Sequence, residues 1–189
     1  MVCSVGAAAD ADRWAHIGML SPTLLQQITE GYSLPLSGVH GLSHWGRVLV
    51  NGRRLADETG ADPIVLELFA VFHDARRRNE GHDPQHGNRA ARSAHALLSA
   101  EGHLSSARLK MLEEACRLHT NGLREADVTI QSCWDAGRLD LLRGGTLPGA
   151  ELLCTEAARQ PAVIAWANER ARNREVPGLI REEWGVRLP

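Results

Sequence analysis

The sequence predicts an all-α protein. Apolar residues recur every three or four positions along most of the chain, which is the spacing of one face of an α-helix. Helix-start signals recur as well, because Ser21–Pro22 and Asp62–Pro63 each place a capping side chain before a proline at the first helical position. Segments with the alternating pattern of a β-strand are few.

Three helices are predicted in the first half of the chain. The first covers about residues 22–31 and begins at the Ser21–Pro22 signal. The second covers the segment SHWGRVLVNGRRLADETG and ends at Gly60, a residue suited to a left-handed C-terminal stop. The third covers ADPIVLELFAVFHD, and its apolar density predicts the most buried helix of the domain.

Further helices are predicted toward the C-terminus, at about 84–100, 105–120, 127–142, 160–173 and 177–184. Glycine and proline cluster in RGGTLPGAE, which indicates a loop before a C-terminal helical cap at about 150–187. This loop is not a clear domain boundary, so we expect residues 1–189 to form a single domain.

Composition limits the size and the partners of the protein. The 189 residues, 43% of them hydrophobic, can bury one sizeable core. A formal charge of -2 gives no general attraction to nucleic acid or to an anionic membrane. No stretch reaches the roughly 20 apolar residues of a membrane span. The N-terminus lacks a secretion-signal layout, and Cys3, Cys116, Cys133 and Cys154 are too scattered for a disulfide framework, so we expect a cytoplasmic protein.

Titratable side chains lie on the predicted inward faces of four helices. His44, His73, His119 and Asp135 each continue the apolar stripe of a different helix, and Asp74 follows His73 directly. Each residue alone is compatible with a hydrogen-bonded core position, and Asp135 could pair with a nearby arginine. Together, several such groups would be costly to bury without a shared cation, which favours a metal site.

Four of these residues follow a recognisable order: His44 in HWGRV, His73 and Asp74 as an HD pair, and Asp135 in WDAGRLDLL. This order, over about residues 40–145, resembles the HD domain superfamily of metal-dependent phosphohydrolases. The resemblance implies a helical bundle in which these four residues hold a divalent transition metal such as Mn, Fe, Co, Ni or Zn, ions that suit mixed imidazole and carboxylate ligands. It also implies metal-assisted cleavage of a phosphate ester of a nucleotide or another small molecule, with Asp74 orienting or deprotonating the attacking water.

The same resemblance allows a second metal ion, because some members of the superfamily hold two with additional histidines. His86, in the first turn of a predicted helix, and His119 would complete a second site bridged by Asp74. Alternatively, these two histidines hydrogen-bond the substrate or neighbouring groups. His40, four residues before His44, is a rival first ligand.

Charged residues after the HD pair are candidates for substrate binding and catalysis. Arg76, Arg77 and Arg78 follow directly, and a guanidinium can clamp phosphate oxygens, although a basic run is usually a solvated helix end. Glu80 and Asp83 lie in the next loop, where a carboxylate could act as general acid. We single out Arg77 and Glu80.

One position departs from the family pattern: Gly137 stands in DAGRLD where many members have a second aspartate. Three classes of function follow from the sequence. A metal-dependent phosphohydrolase acting on a small phosphorylated substrate is preferred. A di-iron oxygenase on the same scaffold is the alternative, since some relatives activate oxygen with a related histidine and aspartate set. A non-catalytic metal-binding helical protein is the third.

Overall fold

The structure, a computed structural model, describes residues 19–99 and 104–188, and every regular element in these ranges is helical. The all-α prediction is therefore confirmed. The α-helices are α1 (Pro22–Glu30), α2 (Leu42–Thr59), α3 (Pro63–Phe72), α4 (His86–Leu98), α5 (Ser106–Leu118), α6 (Val128–Arg138), α7 (Glu156–Arg159), α8 (Pro161–Arg172) and α9 (Leu179–Glu182). Short 3-10 helices occur at Leu141–Gly144 and Ala150–Leu152.

The predicted start and stop signals determine where the first helices begin and end. The Ser21 hydroxyl accepts a hydrogen bond from the Leu24 N–H at 3.1 Å, and the Asp62 carboxylate accepts one from the Ile64 N–H at 3.0 Å. Each bond satisfies a backbone donor that has no partner within its helix. Gly60 ends α2 with a φ of 73°, a conformation that glycine adopts without steric cost.

Helix α3 occupies the centre of the bundle. It packs against α2, α5 and α6, and every residue from Val65 to Phe72 is buried. Its apolar density had predicted this position. Since the chain turns directly after Phe72, the residues that follow α3 remain inside the protein, between the ends of the neighbouring helices.

Helices α4 and α5 pack closely because Gly87 has no side chain. A Cβ atom at this position would lie 2.6 Å from the Cys116 carbonyl oxygen and 3.0 Å from that of Arg117. Both neighbours are backbone atoms, which cannot move independently of α5. Gly87 therefore sets the distance between the first turn of α4 and the last turn of α5.

The C-terminal elements differ from the prediction in two places. The helix predicted at 127–142 ends at Arg138, because the next turns tighten to 3-10 geometry, with the Asp140 N–H donating to the Gly137 carbonyl at 3.1 Å. The four-residue α7, too short to show periodicity, was not predicted. Helices α7, α8 and α9 all contact α2.

Within the described ranges, no helix combines the length and the apolar character needed to cross a membrane. Cys116 and Cys133 are buried free thiols and Cys154 is a partly buried one. Cys3 lies outside the described residues.

Candidate metal centre

Four histidines and one aspartate meet where α3 ends. His44 comes from the first turn of α2, His73 and Asp74 directly follow α3, His86 begins α4, and His119 caps the end of α5. His119 is partly buried and the other four residues are buried. The structure thus brings together five of the six residues that the sequence proposed as metal ligands.

The first group of potential ligands consists of His44, His73 and Asp74. The two histidine Nε2 atoms are 3.0 Å apart, and they lie 3.4 Å and 3.6 Å from Asp74 Oδ2. Ligands that bind one ion at about 2.1 Å are typically separated by about 3.0–3.5 Å. These three atoms therefore have the spacing of one coordination sphere.

The second group consists of Asp74, His86 and His119. The histidine Nε2 atoms are 2.9 Å apart, and Asp74 Oδ1 lies 3.1 Å from that of His86 and 3.7 Å from that of His119. Asp74 therefore directs one carboxylate oxygen to each pair of histidines. If both groups held an ion, Asp74 would be the ligand that they share.

The opposite ring nitrogen of each histidine contacts an acceptor. His44 Nδ1 lies 2.7 Å from the Asp140 carboxylate. The Nδ1 atoms of the other three contact backbone carbonyl groups: that of His73 contacts Phe69 at 3.1 Å, that of His86 contacts Asp83, and that of His119 contacts Cys116 at 2.7 Å. Acceptors at Nδ1 favour the tautomer with its proton on Nδ1, the form in which Nε2 can bind a metal ion. Two pairs of Nε2 atoms face each other at about 3 Å, close enough for each pair to share either a proton or a bound cation.

The protonation states also suit metal ligands. Burial lowers the pKa of His73 well below its ordinary value, although the Asp74 charge opposes this, so His73 is neutral at neutral pH. Burial would raise the pKa of Asp74, but the surrounding histidines, His73 first among them, outweigh it and hold this pKa well below its usual range. The nearest guanidinium nitrogens, from Arg77 and Arg143, are 3.4 Å and 3.8 Å from the Asp74 carboxylate, longer than a strong ion pair.

A cavity of about 400 Å³ opens onto the cluster. The cluster residues in its wall are His44, His73, Asp74 and His119. The wall also carries four arginines, namely Arg77, Arg124, Arg138 and Arg143. Asp74 and Glu151 are the carboxylates of this wall, so positive charge is in excess, and a cavity of this size and charge suits a small anionic molecule.

The arginines that follow the HD pair are directed to different places. Arg77 lies in the cavity wall and is fixed by the Gly81 carbonyl, which accepts from its Nη2 at 2.6 Å. Arg76 instead donates to the Ile28 carbonyl at 2.8 Å, and Arg78 is exposed outside the cavity wall. Of the three candidates, Arg77 alone lines the cavity.

Asp135 is separated from the cluster, so its predicted role as a metal ligand requires correction. Its side chain is buried, but Oδ1 accepts from the Cys154 N–H at 2.7 Å, and Oδ2 accepts from the Thr155 N–H and hydroxyl, both at 2.8 Å. Three donors occupy the two oxygens. Asp135 therefore fastens the segment before α7 to α6, and Arg138, the arginine considered as its partner, donates to carbonyl groups instead.

The two predicted loop carboxylates have separate partners. Glu80 contacts Nδ1 of His40. His40 lines the cavity and Glu80 does not, so the histidine separates the carboxylate from the cavity. Asp83 accepts hydrogen bonds from the Arg78 N–H at 2.9 Å and from the Arg89 guanidinium, which leaves it no role as a general acid. His40, the rival ligand, lies beside His44 and does not belong to either ligand group.

Sequence reasoning missed Asp140 and Arg143. Asp140 holds His44 and accepts from Arg47 at 2.7 Å and 3.0 Å, and Arg143 lines the cavity. Both follow the end of α6, where helical periodicity no longer indicates the direction of a side chain. Asp140 is the last residue of the motif DAGRLD, and this place in the motif was the signal that could have identified it.

Comparison with known proteins gives no match: no family model, no curated protein and no solved structure matches this chain. The resemblance to the HD superfamily therefore depends on the quoted motifs, and functional inference depends on the geometry of the ligand cluster.

Proposed function

We propose that the protein is a metal-dependent phosphohydrolase of the HD type that cleaves a phosphate ester of a small molecule. The observation that carries this proposal is the arrangement around Asp74, whose two carboxylate oxygens each face a pair of histidine Nε2 atoms. The cationic cavity beside this cluster supports a phosphorylated substrate.

The donor set fits divalent transition metals. Four imidazoles and one carboxylate suit Mn, Fe, Co, Ni or Zn, and soft copper less well. His44, His73 and Asp74 would hold one ion, and Asp74, His86 and His119 a second. Such ions activate water as a nucleophile and polarise phosphoryl oxygens.

The arginines at the cavity wall bind and orient the phosphate group in this proposal. Arg77 is held by backbone carbonyls, and its Nη1 remains directed toward Asp74. Arg143 reaches the same carboxylate from the other side. A phosphate between these two guanidinium groups would receive charge-assisted hydrogen bonds from both.

The leaving group needs a proton, and we assign its donor to the imidazolium form of His40; burial lowers the pKa of this histidine, and the Asp74 and Glu80 carboxylates oppose that shift. The Glu80 carboxylate contacts His40 Nδ1 and orients the ring, and His40 lines the cavity next to the ligand cluster. Glu80 then acts as a positioning residue, in place of the direct acid role that the sequence suggested.

Hydrolysis assays on metal-reconstituted protein test the proposal. Protein treated with chelator and reloaded with Mn or Co should release phosphate from p-nitrophenyl phosphate or from nucleotides, and His119→Gln should lose most of this activity. His95→Gln is the matched control, since His95 is exposed and outside the cluster. If fully metal-loaded protein hydrolyses none of a broad panel of phosphate esters, the proposal is wrong.

A di-iron oxygenase is the second candidate, because a carboxylate that bridges two histidine pairs would also suit two iron ions. The same preparations separate the two functions. Iron-loaded protein that consumes oxygen with an organic substrate, and that shows no phosphatase activity with Mn or Co, would favour the oxygenase.

A further inference from the structure

A second cavity, of about 320 Å³, lies beside the candidate metal centre. Its wall includes Arg47, Arg143 and Arg174, together with Ser37 and Ser43. Arg143 also lines the cavity at the ligand cluster, so the two cavities share part of a wall. None of the residues that the structure places in the wall of the second cavity is an aspartate or a glutamate.

Two of these arginines are fixed by protein groups. Arg47 is buried and donates to the Asp140 carboxylate and, through Nη1, to the Glu175 carbonyl at 2.8 Å. Arg143 donates to the Val39 and Asp140 carbonyl groups at 3.1 Å and 3.0 Å. A guanidinium has five N–H donors, so each side chain retains donors after these bonds are made. Both arginines are therefore held in place with hydrogen-bonding capacity to spare.

Arg174 adds a positive charge without a matching carboxylate. Among the described residues, its guanidinium has no ion-pair partner, and it is exposed at the cavity wall. Its φ of 50° is the one positive value among the described residues other than glycine. This left-handed conformation costs about 1–2 kcal/mol for such a residue. The conformation belongs to the end of α8, where the Glu175 N–H donates to the Arg170 carbonyl at 3.0 Å and the Arg174 N–H to the Ala171 carbonyl at 3.2 Å, so the helix end fixes the backbone of the unpaired arginine.

We propose that this second cavity binds a small phosphorylated molecule through its phosphate group, at a site separate from the candidate metal centre. Arginine forks bind phosphate oxygens with paired hydrogen bonds, and the hydroxyl groups of Ser37 and Ser43 can donate to the same oxygens. The apolar side chains of Val176 and Leu188, also in the wall, give a contact surface for the organic part. The volume is at the lower end of the range for small-molecule sites, which favours a compact ligand.

Calorimetric titration of metal-free protein with glycerol phosphate tests this site. Chelator is present throughout, so the result does not depend on the metal centre or on the hydrolase proposal. Arg174→Gln should weaken binding by about tenfold or more, because a charge-assisted contact is lost. Arg172→Gln is the matched control: Arg172 is exposed, lies two positions away and is not in the cavity wall, so this variant should bind like the wild type.

A second variant, Val176→Asp, places a carboxylate in the wall at a side chain that is 55% exposed, and it should also weaken binding. Three outcomes would overturn the proposal. The first is no saturable binding by the wild type at millimolar ligand. The second is an equal loss in Arg172→Gln and Arg174→Gln, which would indicate a general charge effect. The third is a loss in Arg124→Gln alone, because Arg124 lines only the other cavity.

Discussion

Asp74 carries a negative charge inside the protein, where its side chain is 3% exposed. In the folded chain this charge is stabilised by imidazole groups and by two arginines at longer range. Such a charge is costly to bury unless a cation completes its surroundings. The behaviour of the protein with and without metal should therefore depend on this one residue.

Replacing Asp74 with Asn should separate metal binding from folding. The amide is neutral and cannot bridge two cations, so Asp74→Asn should bind far less Mn or Co and lose activity. In chelator it should melt below the wild type, because the groups around Asp74 hold its pKa low and so favour the ionised carboxylate in the folded protein, and added metal should not raise this melting temperature. Elemental analysis and thermal melts check both statements, with Glu156→Gln as a control at an exposed carboxylate. Normal metal content in Asp74→Asn would rule out its role as a ligand.

Asp140 should make the stability of the metal-free protein depend on pH in the acid range. Burial alone would raise its pKa, but the His44 hydrogen bond and the Arg47 guanidinium lower the pKa of Asp140 to about 2, below the value of about 3.9 in an unfolded chain. The stabilisation is complete at pH values above the pKa of Asp140 in the unfolded chain, and it is lost as the pH falls through the pKa in the folded protein. It amounts to about 2 kcal/mol, since both oxygens are buried.

Urea unfolding of the wild type and of Asp140→Asn checks this dependence. The difference in unfolding free energy should be constant above about pH 5 and should shrink between about pH 4 and pH 2. A difference that stays constant down to pH 2 would contradict the assignment of the low pKa to Asp140.

At the scale of single residues, the sequence predicted the ligands that lie on regular helices or at their ends. His44, His73, His86 and His119 were predicted from helical faces and motifs, and they converge in the structure. Asp135 was also predicted to point inward, and it does. Its partners belong to a loop about 20 positions later in the chain, which helical periodicity cannot locate.

Asp135 connects two elements, α6 and α7. Replacing it with Ala leaves the Cys154 and Thr155 donors unpaired in the interior, which should cost about 2–4 kcal/mol and lower the melting temperature by roughly 5–15 °C. The metal-induced rise in melting temperature should persist, because the two ligand groups remain intact. Thermal melts with chelator and with Mn check this. A variant that melts low and no longer responds to metal would restore Asp135 as a ligand.

The close approach of α4 and α5 is a second property at the scale of helices. Gly87→Ala would place a methyl group 2.6 Å from the Cys116 carbonyl oxygen, so the two helices must separate. Separation should move His86 away from His119 and disrupt the second ligand group. The first group, His44, His73 and Asp74, should keep its geometry.

Metal stoichiometry checks this expectation. Gly87→Ala should hold about one ion where the wild type holds two, as measured by elemental analysis after reconstitution. Gly137→Ala is the matched control, because a Cβ atom at Gly137 meets no neighbouring atom within 4 Å. Equal stoichiometry in the wild type and both variants would show that the helix spacing does not control the second site.

At the scale of the whole molecule, helix caps and apolar periodicity were sufficient to predict an all-α chain. Ser21, Asp62 and Gly60 act locally, and their effects can be recognised in a few adjacent residues. Helix α7 and the 3-10 turns after α6 were not predictable in this way. Their conformation depends on contacts such as those of Asp135, which join distant parts of the chain.

Removal of metal should destabilise the whole domain. A ligand present at a thousandfold excess over its Kd stabilises the folded state by about 4 kcal/mol, which corresponds to a rise in melting temperature of roughly 8–16 °C at this chain length. Chelator should abolish that rise and added Mn or Co should restore it, whereas Asp74→Asn should respond to neither. An unchanged wild-type melt after confirmed removal of metal would mean that protein contacts alone hold His73 and Asp74.

The ligand groups also join parts of the chain that are far apart in sequence, since they include residues from His44 to His119 and link α2, α3, α4 and α5. An ion at each group would act as a reversible cross-link that closes long chain loops, in the way a disulfide does. If these links form after the rate-limiting step of folding, they will slow unfolding and leave the folding rate nearly unchanged. The bound ions would then extend the lifetime of the native state, and with it the resistance of the protein to proteolysis.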